Sequence, residues 1–289
     1  MTQPERQDDD LQPMLRRFDE EFGPRQEHEP EPVYGEARPI PQPPQQRYQL
    51  RLPLGRPRAV WVLLALNVAI FAIPTLLQAV GVRINGIPIN DYILNFGEKD
   101  NARILGGEYY RFMTSMFLHG GLLHIGFNAW ALYALGPETE RIYGTLRFLA
   151  IYFIAGLAGG IASYALSPHP SVGASGAIFG LIGGLAAFYY ISRSLFGDIA
   201  RQQLGSLITV IMINLFIGFS SSNIDNFAHI GGLIGGAIVG WLLAPRFEVD
   251  ERLYPPQIVR RSLPAGWAGA LGFLVVLIFL AMVINPPIR

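Results

Sequence analysis

Apolar residues are unevenly spread along the chain: after position 58 they gather into runs, each near the length that crosses a lipid bilayer. A helix needs about 20 mainly apolar residues to span the hydrocarbon core. Seven stretches approximately meet that rule: 59–80, 119–136, 145–166, 175–193, 204–220, 227–245 and 266–285. Their connections are short except for 81–118, which mixes apolar and charged residues and is long enough to fold back on the membrane surface. No soluble helical core of this size needs seven such runs, so the pattern predicts an all-α polytopic membrane protein.

Residues 1–57 read differently. They hold half of the acidic residues and half of the prolines, in runs such as "DDD", "EPEP" and "PQPPQQ". Such a segment buries too little surface to offset the entropy of ordering, so a disordered tail is expected. Its start, "MTQPERQDDD", has neither the apolar stretch of a secretory signal nor the acid-poor composition of a transit peptide. The absence of cysteine excludes disulfides, thiolate metal sites and a cysteine nucleophile. A net charge of zero gives no excess of base to neutralise phosphates, which argues against nucleic acid as a partner.

Flanking arginines set the orientation, because positive charge tends to stay in the cytoplasm. With the N-terminus inside, Arg47, Arg51, Arg56, Arg58, Arg141, Arg147, Arg193, Arg201, Arg246, Arg252, Arg260 and Arg261 are cytoplasmic. The outer loops 167–174 and 221–226 then contain no Lys or Arg. The tail is expected inside and the C-terminus outside.

Polar groups within a span are costly and are functional candidates by default. Here they are Asn67, His124, Asn128, Ser175, Asn214 and His229. Spans two, four and six run the same way, which brings His124, Asn128, Ser175 and His229 to the outer ends of their helices. Gly176, Gly180 and Gly184 repeat every four residues in span four, and Gly232, Gly236 and Gly240 do so in span six. Each set forms a stripe that admits another backbone. If the stripes face one another, Ser175 and His229 meet at one end of the contact.

A serine beside a neutral imidazole is the minimum for nucleophilic catalysis on a carbonyl. Backbone N–H groups at a helix start have no intrahelical partner and face the developing oxyanion, and His124 and Asn128, spaced i and i+4, offer two side-chain donors from one face. Phe179, one turn below Ser175, is placed to stack on His229. The plainer readings are an N-cap for Ser175, packing for "GASG", and interhelical hydrogen bonds for His124 with Asn128 and for Asn67 and Asn214. A metal site with His119 lacks a carboxylate or an HExxH pattern, and Asp225 is either a third member of the catalytic set or a polar loop residue.

With these residues in view, the sequence resembles the rhomboid intramembrane serine proteases. "GEYYRFMTSMFLHGGLLHIGFN", Gly107 to Asn128, resembles the family's G-E-x-x-R loop followed by its H-x-x-x-x-H-x-x-x-N helix. "GASG" resembles the G-x-S-G nucleophile motif and "AHIGG", Ala228 to Gly232, the A-H-x-x-G motif. The resemblance implies a six-helix core over 58–245 with the outer loop 81–118, followed by a linker and one additional C-terminal transmembrane helix within 246–289. It implies Ser175 as nucleophile and His229 as base in a dyad without an acid. His124, Asn128 and the Ser175 backbone form the oxyanion hole, with Phe179, Gly173 and Gly176 in support. Glu108 and Arg111 belong to the outer-leaflet loop, and Glu140 with Arg141 to an acidic-basic pair after the second helix. Phe179 stands where the family often has tyrosine.

The implied activity is an endopeptidase that needs no cofactor or metal and cuts transmembrane protein substrates in the bilayer of a cell membrane, expected to be a bacterial plasma membrane. Substrate helices must unwind to expose a carbonyl, and the fifth helix with the loop "SSSNIDN", Ser220 to Asn226, is the expected moving part. The rivals are an inactive relative acting as a membrane-protein adaptor or chaperone, and a small transporter. The transporter needs polar groups near helix centres, whereas these lie at the ends.

Overall fold

The computed structural model describes residues 54–221, 224–250, 252–261 and 263–288, with a few positions between 13 and 23. The chain divides into a unit Met1–Arg47 and a unit Tyr48–Arg289. In the first, Pro13, Arg16, Arg17, Glu20 and Glu21 are helical and exposed and Gly23 lies outside the helix, and the remainder of the expected disordered tail up to residue 53 lies outside the described residues. Leu54–Pro57, counted with that tail from sequence, are described, and Gly55 N donates to Arg141 O at 2.9 Å.

Seven long helices fill the second unit: α1 (Ala59–Ala79), α2 (Leu122–Tyr143), α3 (Thr145–Leu166), α4 (Ser175–Ile191), α5 (Asp198–Phe219), α6 (Asn226–Leu243) and α7 (Ala265–Val283). Each overlaps one of the seven apolar stretches. α1, α3, α5, α6 and α7 are long and apolar enough to cross a membrane. α4 is apolar over its 17 residues, about 25 Å of helix. The far end of α2 is polar, with Glu138, Glu140 and Arg141. The protein is therefore a polytopic, all-α membrane protein whose only strands, among the described residues, are two short hairpins. These pair β1 (Arg83–Ile84) with β2 (Ile87–Pro88), and β3 (Arg246–Asp250) with β4 (Gln257–Arg261).

The core lies where α4 and α6 press together, with α3 against both. A Cβ built on Gly232 would stand 2.0 Å from Gly176 O, one on Gly236 2.1 Å from Gly180 O, and one on Gly240 2.5 Å from Gly184 Cα. The two glycine stripes therefore face each other over three successive turns, and no side chain fits between them. Tyr143, fully buried, closes the far end of the stripe: its hydroxyl lies 2.7 Å from Gly184 O and 3.1 Å from Gly240 O. Glu140, also buried, accepts from Ala59 N at 3.0 Å, Val60 N at 2.9 Å and Thr145 Oγ1 at 2.7 Å, so it caps the start of α1 from another helix.

The 81–118 segment is ordered rather than extended. It carries helices at Ile89–Gly97, Asn101–Leu105 and Arg111–Thr114 and a 3₁₀ turn at Ser115–Phe117. Buried Arg111 ties the segment together, bonding Glu108 at 2.7 Å, Asn95 O at 3.0 Å and Glu98 O at 2.9 Å. The Arg111 hydrogen bond holds the Glu108 carboxyl below its ordinary range. Phe112 meets Tyr164 of α3 edge-on at 5.5 Å, and Met116 fills the space a side chain at Gly156 would need. α5 is the loosely held helix, burying only Ala200, Leu207 and Gly218.

One reading changes. Asn214 was expected to bond across helices, yet its Nδ2 donates to Val210 O at 2.8 Å on its own helix and the residue is exposed. Buried Asn67 donates from Nδ2 to Leu63 O at 2.8 Å, and its side chain also meets the Tyr152 hydroxyl of α3, as the interhelical reading expected.

Candidate active site

Ser175 is the first residue of α4, preceded by Ala174 in a helical conformation and without a side-chain cap. The N–H groups of that first turn have no intrahelical partner and carry the positive end of the dipole. Gly173, two residues earlier, has φ +127°, a left-handed value that favours glycine. A Cβ there would also stand 2.6 Å from His124 Nε2 and 3.8 Å from Ser175 Oγ. His124 of α2 thus lies against the backbone that leads into Ser175.

The 81–118 segment fixes this approach. Lys99 N donates to Ser171 O at 2.9 Å, Ser171 N to Lys99 O at 3.1 Å, and Gly173 N to Ser115 O at 2.9 Å. The turn before the serine is therefore held by a single β-bridge and one further backbone bond, which no local sequence pattern encodes.

On the other side, the turn of α6 that carries His229 presses on the first turn of α4. Ala228 O would lie 3.3 Å from a Cβ on Gly176 and 2.6 Å from one on Gly159 of α3. The His229 ring stacks on Phe179, with centroids 4.3 Å apart and planes 9° from parallel. This stack holds the imidazole against Phe179, which lies one turn along α4 from Ser175. His229 is buried, and among the described residues its Nδ1 has no hydrogen-bond partner.

Asp225 is the N-cap of α6. One carboxylate oxygen accepts from Ala228 N at 3.0 Å and the other from Ser163 Oγ, so Asp225 caps the start of α6 and ties it to α3, while its charge also acts on His229. Asn128, one turn along α2 from His124, is buried and donates from Nδ2 to His124 O at 2.9 Å, leaving its second amide hydrogen uncommitted. His119 packs edge-on against His124, with centroids 5.2 Å apart and 71° between planes.

Ser175, His229, Phe179, His124, Gly173 and Gly176 thus come together at one end of α2, α4 and α6. Sequence reasoning missed Gly159 and Ser163 of α3, which seat the start of α6. The small residues of "GLAGGIAS" were the available signal.

Fold and site define a class: a polytopic membrane protein with a serine and a stacked histidine where two glycine-striped helices cross. The profile of the Rhomboid domain matches residues 106–246. The chain is 43% identical over 183 residues to the protein called Rhomboid protease GluP of Bacillus subtilis (strain 168), which covers 63% of this chain and 34% of that protein. It is 35% identical over 152 residues to the Putative rhomboid protease YdcA of the same organism, covering 51% of this chain and 74% of that one. To RHOMBOID-like protein 5 of Arabidopsis thaliana it is 31% identical over 244 residues, 74% of this chain and 78% of that one. The chain belongs to the rhomboid family. It spans about a third of the length of the GluP relative.

Proposed function

We propose that this protein is an intramembrane serine endopeptidase that hydrolyses peptide bonds in or near transmembrane segments of other membrane proteins through a Ser175–His229 dyad. The observation that carries this reading is the placement of Ser175 at an uncapped helix start beside a histidine held flat on Phe179. Ser175 Oγ attacks the scissile carbonyl carbon as His229 accepts its proton. The same proton then passes to the leaving amine, and water repeats the sequence on the acyl-enzyme. Backbone N–H groups at Ser175, with His124 and Asn128, stabilise the oxyanion. The commitment of Asp225 to the α6 cap supports a dyad without an acid.

In this reading α1 to α6 form the six-helix catalytic core and α7 is the additional helix. The tail and the β3–β4 hairpin are cytoplasmic, and the site opens toward the outer face of a cell membrane. The few buried positions of α5 support it as the element that yields to substrate. Proteomics of shed ectodomains in cells expressing wild type or Ser175→Ala tests the proposal. Fragments that vanish with the serine support it and name substrates. Identical fragment sets, with Ser175→Ala expressed at the wild-type level, favour the adaptor reading.

A further inference from the structure

At the end of the bundle opposite Ser175, a cleft of about 480 Å³ opens between the α2–α3 corner, the β3–β4 hairpin and the start of α7. Two arginines line it, Arg147 of α3 and Arg260 of β4, together with Thr145, Leu146 and Trp267. Both guanidinium groups are half-buried, and among the described residues neither has a carboxylate partner. Burial and then the neighbouring Arg147 charge pull Arg260 below its ordinary range. Glu140, close by in sequence, is spent on the start of α1 and on Thr145. Arg260 donates to Tyr143 O, the last carbonyl of α2, which explains its position but leaves most of its donors for another group. Among the described residues no hydrogen bond or ion pair holds Arg147.

The surroundings say what completes the pair. Leu146 is 73% exposed and Trp267 37% exposed beside the two charges. An apolar side chain and an indole next to paired guanidinium groups suit a ligand that is anionic at one end and hydrocarbon at the other. Tryptophan is the residue that favours the headgroup level of a bilayer, and basic pockets between membrane helices suit phospholipid headgroups. We propose that this cleft binds the phosphate of an anionic phospholipid, with Arg147 and Arg260 as its ligands and Trp267 and Leu146 against the glycerol and upper acyl chain. The bound lipid would join the hairpin to the α2–α3 corner by neutralising two like charges. The inference stands independently of the catalytic reading.

Thermal unfolding of the full-length protein in a non-ionic detergent tests it, with dihexanoyl-phosphatidylglycerol as the probe. A saturable rise in the midpoint is expected with this probe, and little with dihexanoyl-phosphatidylcholine or inorganic phosphate at equal concentration. Charge-assisted hydrogen bonds contribute about 1.5–3 kcal/mol each, so Arg147→Gln and Arg260→Gln should each raise the half-saturating concentration roughly tenfold or more. Arg201→Gln, at an exposed arginine on the same end of the bundle, should leave it unchanged. Arg147→Gln breaks no bond in the structure, so it carries the test if Arg260→Gln fails to fold. A flat wild-type response, or an equal response in Arg147→Gln, would overturn the proposal. A full response to inorganic phosphate alone would place a free anion there and overturn the lipid assignment.

Discussion

Ser175 and His229 have different obligations from His124 and Asn128, and substitution should separate them. Without either member of the dyad there is no covalent route, so Ser175→Ala and His229→Ala should leave cleavage at background. In the proposed mechanism His124 and Asn128 act on the oxyanion alone, and losing one such donor costs about 10²- to 10³-fold in turnover while backbone donors remain. His124→Ala and Asn128→Ala should therefore retain measurable activity at unchanged thermal stability. Full activity in folded protein would return both residues to a packing role. Lys99 offers a pH test away from the site. It is 1% exposed, bonds Asn101 Oδ1 at 3.0 Å and Ser167 O at 3.3 Å, and burial pulls it down to about 8, against a partial opposing effect of Asp225 and Asp100. Its ordinary value is 10.5, so between about pH 8 and 10.5 the unfolded chain binds more protons than the native one. This group's contribution to stability therefore rises with pH across that window and is lost as pH falls through 8. Denaturation midpoints measured from pH 7 to 10.5 should show that rise in wild type and lack it in Lys99→Met.

At the scale of elements, the α4–α6 contact is the part of the fold with least room for change. Gly236→Ala places a methyl group 2.1 Å from a backbone oxygen that no side-chain rotation can clear, and overpacking of this kind costs typically about 1–3 kcal/mol. Gly126→Ala in α2, where nothing lies within 4 Å, is the control that should not lower the unfolding midpoint. Equal midpoints for the two variants would mean that the stripes do not carry the packing. These stripes were legible in the sequence because a four-residue glycine period has one physical use in a membrane helix. Helix ends were less so: α2 runs to Tyr143, past the apolar limit at 136, because Glu138 and Glu140 find partners in Tyr189 and the start of α1. α5 begins at Asp198, several residues before its apolar run, because its first turns are mostly polar and exposed, apart from buried Ala200, and carry no apolar signal. The elements of the 81–118 segment and the β3–β4 hairpin were not legible as structure. Their short elements are held by distant partners such as Arg111 and by the Lys99–Ser171 bridge, and no local period encodes those. Ser175, His229, His124 and Phe179 were legible because helix starts and one-turn spacings place side chains directly. The bond between Asp225 and Ser163 was not, because the two lie 62 positions apart in sequence.

For the whole molecule, the account predicts a tail and hairpin on the cytoplasmic side and the 81–118 loop outside. The chain has no cysteine, so single introduced cysteines report cleanly. Asp100→Cys should react with an impermeant maleimide in intact cells, and Gln257→Cys only after lysis. The reverse pattern would invert the orientation. The central claim is that the meeting of α4 and α6 makes a nucleophile. It is tested most directly by treating the folded, purified protein with a fluorophosphonate and locating the adduct by mass spectrometry. The account predicts one adduct, on Ser175, absent from Ser175→Ala and slowed by orders of magnitude in His229→Ala. Folded protein that acquires no adduct, or that acquires it on another residue, would contradict the claim.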